Sequence, residues 1–428
     1  MTTAAVQLAV HGGPRTLTAD VGDLFTWPIV TEEDEAAVLE VLRRGAMSGT
    51  DVTHLFESEL ADWFAADHVL CHNTGTSAIH AALWAAGVGR GDEVISQSMT
   101  FWGSSLQLYS LGATVVFAEM DPLTLTLDPD DIEHRITERT KAILPVHYCG
   151  HPTDMDPILE IARKHGLRVV EDVSHAQGGL YKGRLLGTIG DVGAMSIMSG
   201  KSLACGEGGF LVTDDEEIYE RAAAFGHYER TSRLGHPELK PLAGLPLGGC
   251  KYRMHQLSSA VGRVQLRHYR GRIEIIQEAM NHFWDRLEGT PGIRPHRPAV
   301  GSGSTMGGWY AARGLYLPEE LGGLPVASFC KAVSAEIEGG GFSVSPGANI
   351  LLHLHPVLNE ADVYGDGKPT RIAFSDRDLR QPQGSLPVTE SLPARCYSIP
   401  WFKHCRTEVI DQFADAFRKV AENADQLA

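Results

Sequence analysis

From Pro28 to about Gly248 the chain alternates short apolar runs with amphipathic ones, and this alternation limits the possible folds more than any other feature. The apolar runs are HVLCHN (68–73), DEVISQS (92–98), ATVVFAEM (113–120), AILPVHY (142–148), LRVVEDV (167–173) and GGFLVT (208–213), most of them rich in Val and Ile. Between them lie segments with helical periodicity: Thr31 to Gly45, HLFESELADWFAA, SAIHAALWAAG closed by Gly87, and MDPILEIARKHG. Short apolar strands taking turns with helices predict an α/β fold with a mainly parallel central sheet and helices on both faces. A chain of 428 residues exceeds what one core usually holds, so two domains are expected. The expected division is an N-terminal extension (1–27), a large domain (28–264), and a linking helix with a smaller C-terminal α+β domain (265–428). The linking helix is read over 265–290. In the smaller domain GWYAARGLYLP reads as a strand, TEVIDQFADAFRKVAENADQL as a closing helix, and the polar stretch 358–385 as a long surface loop.

Charge and cysteine usage exclude several functions. A net charge of −17 argues against nucleic acid or an anionic membrane as partner, although one site can still be locally positive. No run approaches the roughly 18 apolar residues of a spanning helix. MTTAAVQLAVHGGPR has no basic region ahead of its short apolar run, so no signal peptide is expected. The 7 cysteines are scattered and form no CxxC pair, which fits reduced thiols and a cytoplasmic location.

Open parallel sheets place ligands at the carboxyl ends of their strands, so the residues that follow each apolar run carry the functional signal. After HVLCHN come Thr74, Gly75, Thr76 and Ser77, leading into a helix; this reads either as an ordinary cap or as an anion site. Its spacing is not that of a P-loop. After LRVV come Glu171, Asp172, Val173, Ser174 and His175; an acid here can hold a cation or a protonated ring nitrogen, or start a turn. Lys201 follows in a Ser/Gly-rich loop, ahead of Gly206, Gly208 and Gly209. A lone Lys is normally a solvated surface group. An anion site, an acid and a lysine at successive strand ends nevertheless form the order that an aldehyde cofactor with a phosphate and a pyridine nitrogen requires.

From about Trp27 to near the C-terminus the sequence resembles the DegT/StrS family of pyridoxal-phosphate-dependent sugar and aminocyclitol aminotransferases. The segments that carry the resemblance are TGTSAIHAALWAAGVGRGDEVISQSMTF, ILPVHYCGHPTDMD, VVEDVSHAQGG, GKSLACGEGG, CKYRMHQLSSAVGRVQL and LPVTESLPARCYSIP. The resemblance implies fold type I and pyridoxal 5'-phosphate (PLP) held covalently on Lys201. It gives Asp172 the ring nitrogen, His175 the phenolic oxygen and Phe101 the ring face, with Trp102 as the lesser candidate. Gly75, Thr76, Ser77 and Ser196 would bind the phosphate. It also implies a homodimer with active sites at the subunit interface. Lys251 stands where the family usually has an Asn that reaches the neighbouring subunit's phosphate, and the resemblance implies that it binds the cofactor there, pairing with that phosphate as a point charge. The expected reaction moves an amino group from L-glutamine or L-glutamate to a keto group of a cyclitol or sugar, in natural-product biosynthesis. MSGK and LGGLPVASFC resemble segments of aminocyclitol and keto-cyclitol aminotransferases, which implies a cyclitol; a nucleotide-linked keto-sugar and an aminoshikimate-type substrate are the alternatives. A dehydratase on this scaffold would carry His in place of Lys201, and a non-catalytic cofactor-binding regulator would not keep Lys201, Asp172 and His175 together.

Other features receive ordinary readings. His353 and His355 have no acid or thiol spaced around them, so no metal is expected; the resemblance sets them near the substrate mouth. Gly301-Ser302-Gly303 lacks a third Gly and reads as a turn. Trp309 and Tyr310 read as core or wall residues, and Glu207 receives no catalytic role.

Overall fold

The computed structural model describes residues 6–427. Strands β1 (His68–His72), β2 (Glu93–Gln97), β3 (Thr114–Ala118), β4 (Thr140–Leu144) and β5 (Arg168–Asp172) precede a small hairpin of β6 (Leu180–Tyr181) and β7 (Arg184–Leu185). Then follow β8 (Val192–Ser196) and β9 (Gly209–Thr213). The central sheet has seven strands in the order β1-β9-β8-β5-β4-β2-β3. Strands β3, β2, β4, β5 and β8 are parallel, with pairs such as Ile143 beside Val169, whereas β9 is antiparallel to both its neighbours. Because only β9 is reversed, β1 points the same way as β8. The carboxyl ends of β1, β5 and β8 therefore meet at one edge, together with the start of β9.

Helices α2 (Asp51–Phe64), α3 (Gly75–Ala85), α4 (Pro129–Arg135), α5 (Met155–His165) and α6 (Glu216–Gly226) pack around the sheet, while α1 (Glu32–Arg43) packs on the long α7 (Gln256–Arg286). Alternate strand residues enter two different cores. Val69 and Cys71 pack with Phe56, Leu60, Ile158 and Tyr269, while Leu70 packs with Ile79, Leu83 and Ala222 on the other face. Burial on both faces explains why these strands read as continuous apolar runs.

Helix α7 begins nine residues before the expected start, so the boundary expected at 264/265 falls inside it. His255 Nδ1 caps it by accepting from the Leu257 N–H at 3.3 Å. Ser258, Ser259 and Gly262 had hidden this first stretch, since Gly and Ser weaken a helical pattern. Gly262 is required there because a Cβ would lie 2.6 Å from the Phe56 ring of α2.

Beyond α7, β10 (Ile293–Pro295), β11 (Arg313–Tyr316) and β12 (Cys396–Ser398) form an antiparallel sheet with α8 (Val326–Glu336) and α11 (Thr407–Glu422) against it; α9 (Pro356–Asn359) and α10 (Pro387–Ser391) are short. Phe283, Tyr316, Phe329, Tyr397 and Phe417 fill this core, and Leu8, Leu17 and Leu24 from the N-terminal segment belong to it as well. The expected strand 308–318 shrinks to β11, because Trp309 and Ala311 adopt φ of 57° and 56°, which a strand cannot contain. The polar stretch 358–385 runs along the free edge of β3. Gln381 accepts from the Phe117 N–H at 2.9 Å and donates to its carbonyl at 2.7 Å, and Arg371 donates to the Val115 carbonyl at 3.2 Å. It thus covers an edge that would otherwise offer unpaired backbone groups.

Candidate active site

The edge where β1, β5 and β8 end is crowded by backbone. Thr74 caps α3, accepting from the Ser77 N–H at 3.0 Å, and the helix starts directly against β8 and β9. A Cβ on Gly75 would stand 2.4 Å from that of Ser196, and one on Gly209 would stand 2.5 Å from the Thr74 carbonyl. Only glycines permit this approach. The first N–H groups of a helix have no intrahelical acceptor, so those of Gly75 and Thr76 remain as donors at the positive end of α3. Thr76 and Ser196 line the same cavity, whose volume is about 490 Å³.

Asp172 ends β5 and is buried. The Ser104 hydroxyl donates to its Oδ2 at 2.6 Å, and the Ser174 N–H donates to Oδ1 at 2.9 Å, which fixes the carboxylate plane. His175 Nδ1 accepts from the Cys149 N–H at 3.3 Å, leaving Nε2 as the protonated nitrogen. Burial, with the charges of Lys201 and Arg313 beside it, holds the imidazole well below its usual pKa, so it is neutral. Lys201 is buried in the β8–β9 connection, its carbonyl accepting from the Trp27 indole N–H at 2.8 Å. Burial lowers its amine to about 8, against the opposing pull of Asp172. The Nζ lies 3.9 Å from the centre of the Tyr310 ring, and Tyr310 also meets the His175 ring at 4.9 Å.

The cavity thus brings together Gly75, Thr76, Phe101, Asp172, His175, Ser196 and Lys201. Phe101 is half exposed at the mouth. Ser77 departs from expectation: its hydroxyl serves the helix cap, donating to Asn73 Oδ1 at 2.7 Å, and does not line the cavity. Lys251 is exposed and also lies outside the cavity of its own chain, where its carbonyl accepts from the Asn73 amide at 3.4 Å. His353 is not at the mouth but fully buried, bonded to Ser98 Oγ at 2.6 Å and to Glu390 at 3.1 Å, an acid that its sequence neighbourhood did not reveal. Glu207 is on the cavity wall.

Ser104, Arg313 and Asn349 also line the cavity and are not among the predicted site residues, whereas Tyr310 is a wall residue as expected. Ser104 lies two residues past Trp102, in the loop after β2, another strand end of the sheet, and that position was a usable signal. Arg313 and Asn349 come from the second sheet and a loop, where no such rule applies. A larger groove of about 1140 Å³ near Tyr181, Arg294 and Pro387 contains none of the predicted residues.

The donor set suits one kind of ligand. Helix N–H groups and hydroxyls for a phosphate, a fixed carboxylate for a ring nitrogen and a buried amine for an aldehyde all face a single cavity.

The profile of the DegT/DnrJ/EryC1/StrS aminotransferase family matches residues 28–312. The chain is 33% identical to the L-glutamine:scyllo-inosose aminotransferase of Streptomyces griseus, over 98% of this chain and 99% of that one. It is 32% identical to the dTDP-3-amino-3,4,6-trideoxy-alpha-D-glucose transaminase of Streptomyces venezuelae, over 92% and 93%. Among solved structures, an aminotransferase from Psychrobacter cryohalolentis superposes with a TM-score of 0.79 at 27% identity, covering 94% of this chain and 100% of that one.

Proposed function

The chain belongs to the DegT/DnrJ/EryC1/StrS aminotransferase family, and we propose that it moves the amino group of L-glutamine or L-glutamate onto a keto group of a cyclitol or sugar in two half-reactions. The observation that carries this reading is the buried amine of Lys201 sharing one cavity with Asp172, His175 and the start of α3. The cyclitol acceptor is supported by the near-complete overlap with the scyllo-inosose relative. A nucleotide-linked keto-sugar is the second reading, supported by the dTDP-amino-sugar relative.

Pyridoxal phosphate, when bound, supplies an electrophilic aldehyde and a ring that stabilises a carbanion. The Gly75 and Thr76 N–H groups, with the Thr76 and Ser196 hydroxyls, would hold its phosphate, and Phe101 would flank its ring. Asp172, kept in plane by Ser104 and Ser174, would hold a proton at the ring nitrogen. Neutral His175 would donate from Nε2 to the phenolic oxygen. With its pKa near 8, Lys201 keeps a neutral fraction close to neutral pH. It can therefore act as the nucleophile that carries the cofactor, and then as the base and acid that move the donor's α-proton.

We also read the protein as a homodimer with shared sites, since Lys251 is exposed and free to reach a neighbouring chain. The unpaired state of its 7 cysteines supports a cytoplasmic location. Among the described residues no helix is long and apolar enough to cross a membrane.

The test is the visible spectrum of the cofactor-loaded protein. Adding L-glutamine, then L-glutamate, should bleach the band with the true donor; adding scyllo-inosose should restore it, and a dTDP-keto-sugar should not. A band that no amino donor bleaches would remove the transaminase reading, and light scattering at the monomer mass would remove the dimer.

A further inference from the structure

Lys201 sets its amine over the face of Tyr310, with Nζ 3.9 Å from the ring centre. Among the described residues no carboxylate lies within ion-pair distance of that nitrogen, and no oxygen accepts a hydrogen bond from it. The titratable groups around it are Asp172, whose carboxylate already accepts from Ser104 and Ser174, the thiol of Cys149 and neutral His175. Burial pushes that thiol up to about 11, so it too is uncharged at neutral pH. Arg313 and Glu207 line the same cavity. A buried ammonium needs compensation, and the negative face of an aromatic ring supplies it.

The ring is held in place. It meets the Trp401 ring edge to face, 5.8 Å and 89° apart, and the Trp401 indole N–H donates to the Gly308 carbonyl at 2.9 Å. Trp401 also packs against Trp27 at 5.9 Å, and the Trp27 indole N–H donates to the carbonyl of Lys201 itself at 2.8 Å. One aromatic row therefore fixes both the backbone of the lysine and the ring that meets its amine. Lys403 and Arg272 set their own nitrogens on that row, over Trp401 at 3.0 Å and Trp27 at 5.9 Å. The Tyr310 hydroxyl takes no hydrogen bond from, and gives none to, the described residues. What the position supplies is a ring face.

We propose that Tyr310 is a positioning residue for Lys201: its ring face seats the amine whenever that amine is not bonded to the cofactor, and favours the protonated form. The inference rests on the transamination reading, in which Lys201 is released and takes the donor's α-proton onto Nζ. The ring holds that proton's charge until it is passed on, and so offsets part of what burial costs the ammonium.

The test uses the full chain freed of cofactor. The pH dependence of its capture of pyridoxal phosphate reports the Lys201 amine, with a midpoint at about 8 in the wild type. Tyr310→Phe should leave that midpoint unchanged, because the ring face remains. Fluorinating the phenyl ring of that variant stepwise drains its face of negative charge while keeping its shape. The midpoint should fall with each added fluorine, by about 0.4–1.5 units in all, the size of a cation–π contact. Capture at pH 7 should accelerate by about twofold to eightfold, since a lower pKa leaves more of the amine neutral there.

A ring that merely fills space would tolerate fluorine without moving the amine, and a midpoint indifferent to fluorination overturns the inference. So does a midpoint that falls fully in Tyr310→Phe, because the hydroxyl would then be the operative group. Bleaching by amino donors is scored separately. Fluorine-dependent capture in a protein that no donor bleaches sustains the seat for the amine and sinks the transaminase reading; donor bleaching with fluorine-independent capture does the reverse.

Discussion

Where Thr74 to Thr76, Asp172 and Ser196 meet, glycines let backbone press against backbone; the wall carrying Tyr310, Arg313 and Asn349 is shaped by non-glycine residues bent into conformations that glycine would take more easily. On the first wall, Gly75 and Gly209 have no room for a Cβ. On the second, Trp309 and Ala311 hold φ of 57° and 56°, at a cost of order 1 kcal/mol or more each. The sheet edge gains its precision from being filled. The facing wall gains its shape from packing that overrides local preference: buried Trp309 on one side, and the Tyr310–Trp401 edge contact on the other. Added volume should therefore break the first wall, and added freedom should relax the second.

Lys201 lies between them, and its removal has the largest expected effect. Lys201→Ala should lower turnover by at least about 10⁴-fold, since the amine proposed as both nucleophile and proton carrier is lost. Its thermal midpoint should not fall, because a buried amine that pays for desolvation is gone. Steady-state rates and a melting scan check both. Gly75→Ala comes next. A Cβ 2.4 Å from that of Ser196 forces α3 away from β8, costing about 1–3 kcal/mol and with it the retention of pyridoxal phosphate through gel filtration.

The pH response follows. With the amine at about 8, each unit below that value removes about nine-tenths of the neutral form. The rate at which cofactor-free protein captures pyridoxal phosphate should fall about tenfold per unit below pH 8 and level off above it. Stability gives a second reading, because the folded pKa of about 8 lies below the unfolded value of about 10.4. The unfolded chain binds more protons between those limits, so stability should rise with pH across that window. Lys201→Ala should flatten that segment of the melting profile.

The difference between the walls also explains what could be seen in the sequence. Asp172, Ser196 and the Thr74–Thr76 turn follow apolar runs, and strand order with the rule of carboxyl ends places them together before any side chain is known. Lys201 was legible only in their company. Ser77 was over-read, because a hydroxyl at the third helical position serves the cap or a ligand with the same sequence pattern. Arg313 and Asn349 were not legible, since their distance from the cavity depends on how a second sheet leans against the first. GWYAARGLYLP even advertises a strand that its own left-handed residues prevent. The 358–385 stretch looked structureless because its order comes from Gln381 and Arg371 bonding to an edge strand more than 250 residues earlier.

Ser104→Ala sharpens the comparison by weakening the first wall without adding volume. It removes one hydrogen bond to the Asp172 carboxylate and leaves the Ser174 N–H in place. A loss of about 1.5–3 kcal/mol in holding that group corresponds to a donor half-reaction about tenfold to a hundredfold slower. Single-turnover bleaching measures it, while pyridoxal phosphate retention should persist, because the phosphate donors are untouched.

The smallest expected effect is the reverse substitution on the facing wall. Ala311→Gly inserts the residue that Gly75 must be and Ala311 is not. It removes the strain of φ 56°, worth about 1–2 kcal/mol, and adds about 0.5–1 kcal/mol of entropy cost in the unfolded chain. The two nearly cancel, so the melting midpoint should stay within about 2 °C of the wild type. A larger drop would mean that the Ala311 methyl group packs as tightly as the glycines opposite, and the contrast between the walls would fail. A neutral result beside a collapsed Gly75→Ala would establish that one wall is limited by space and the other by conformation.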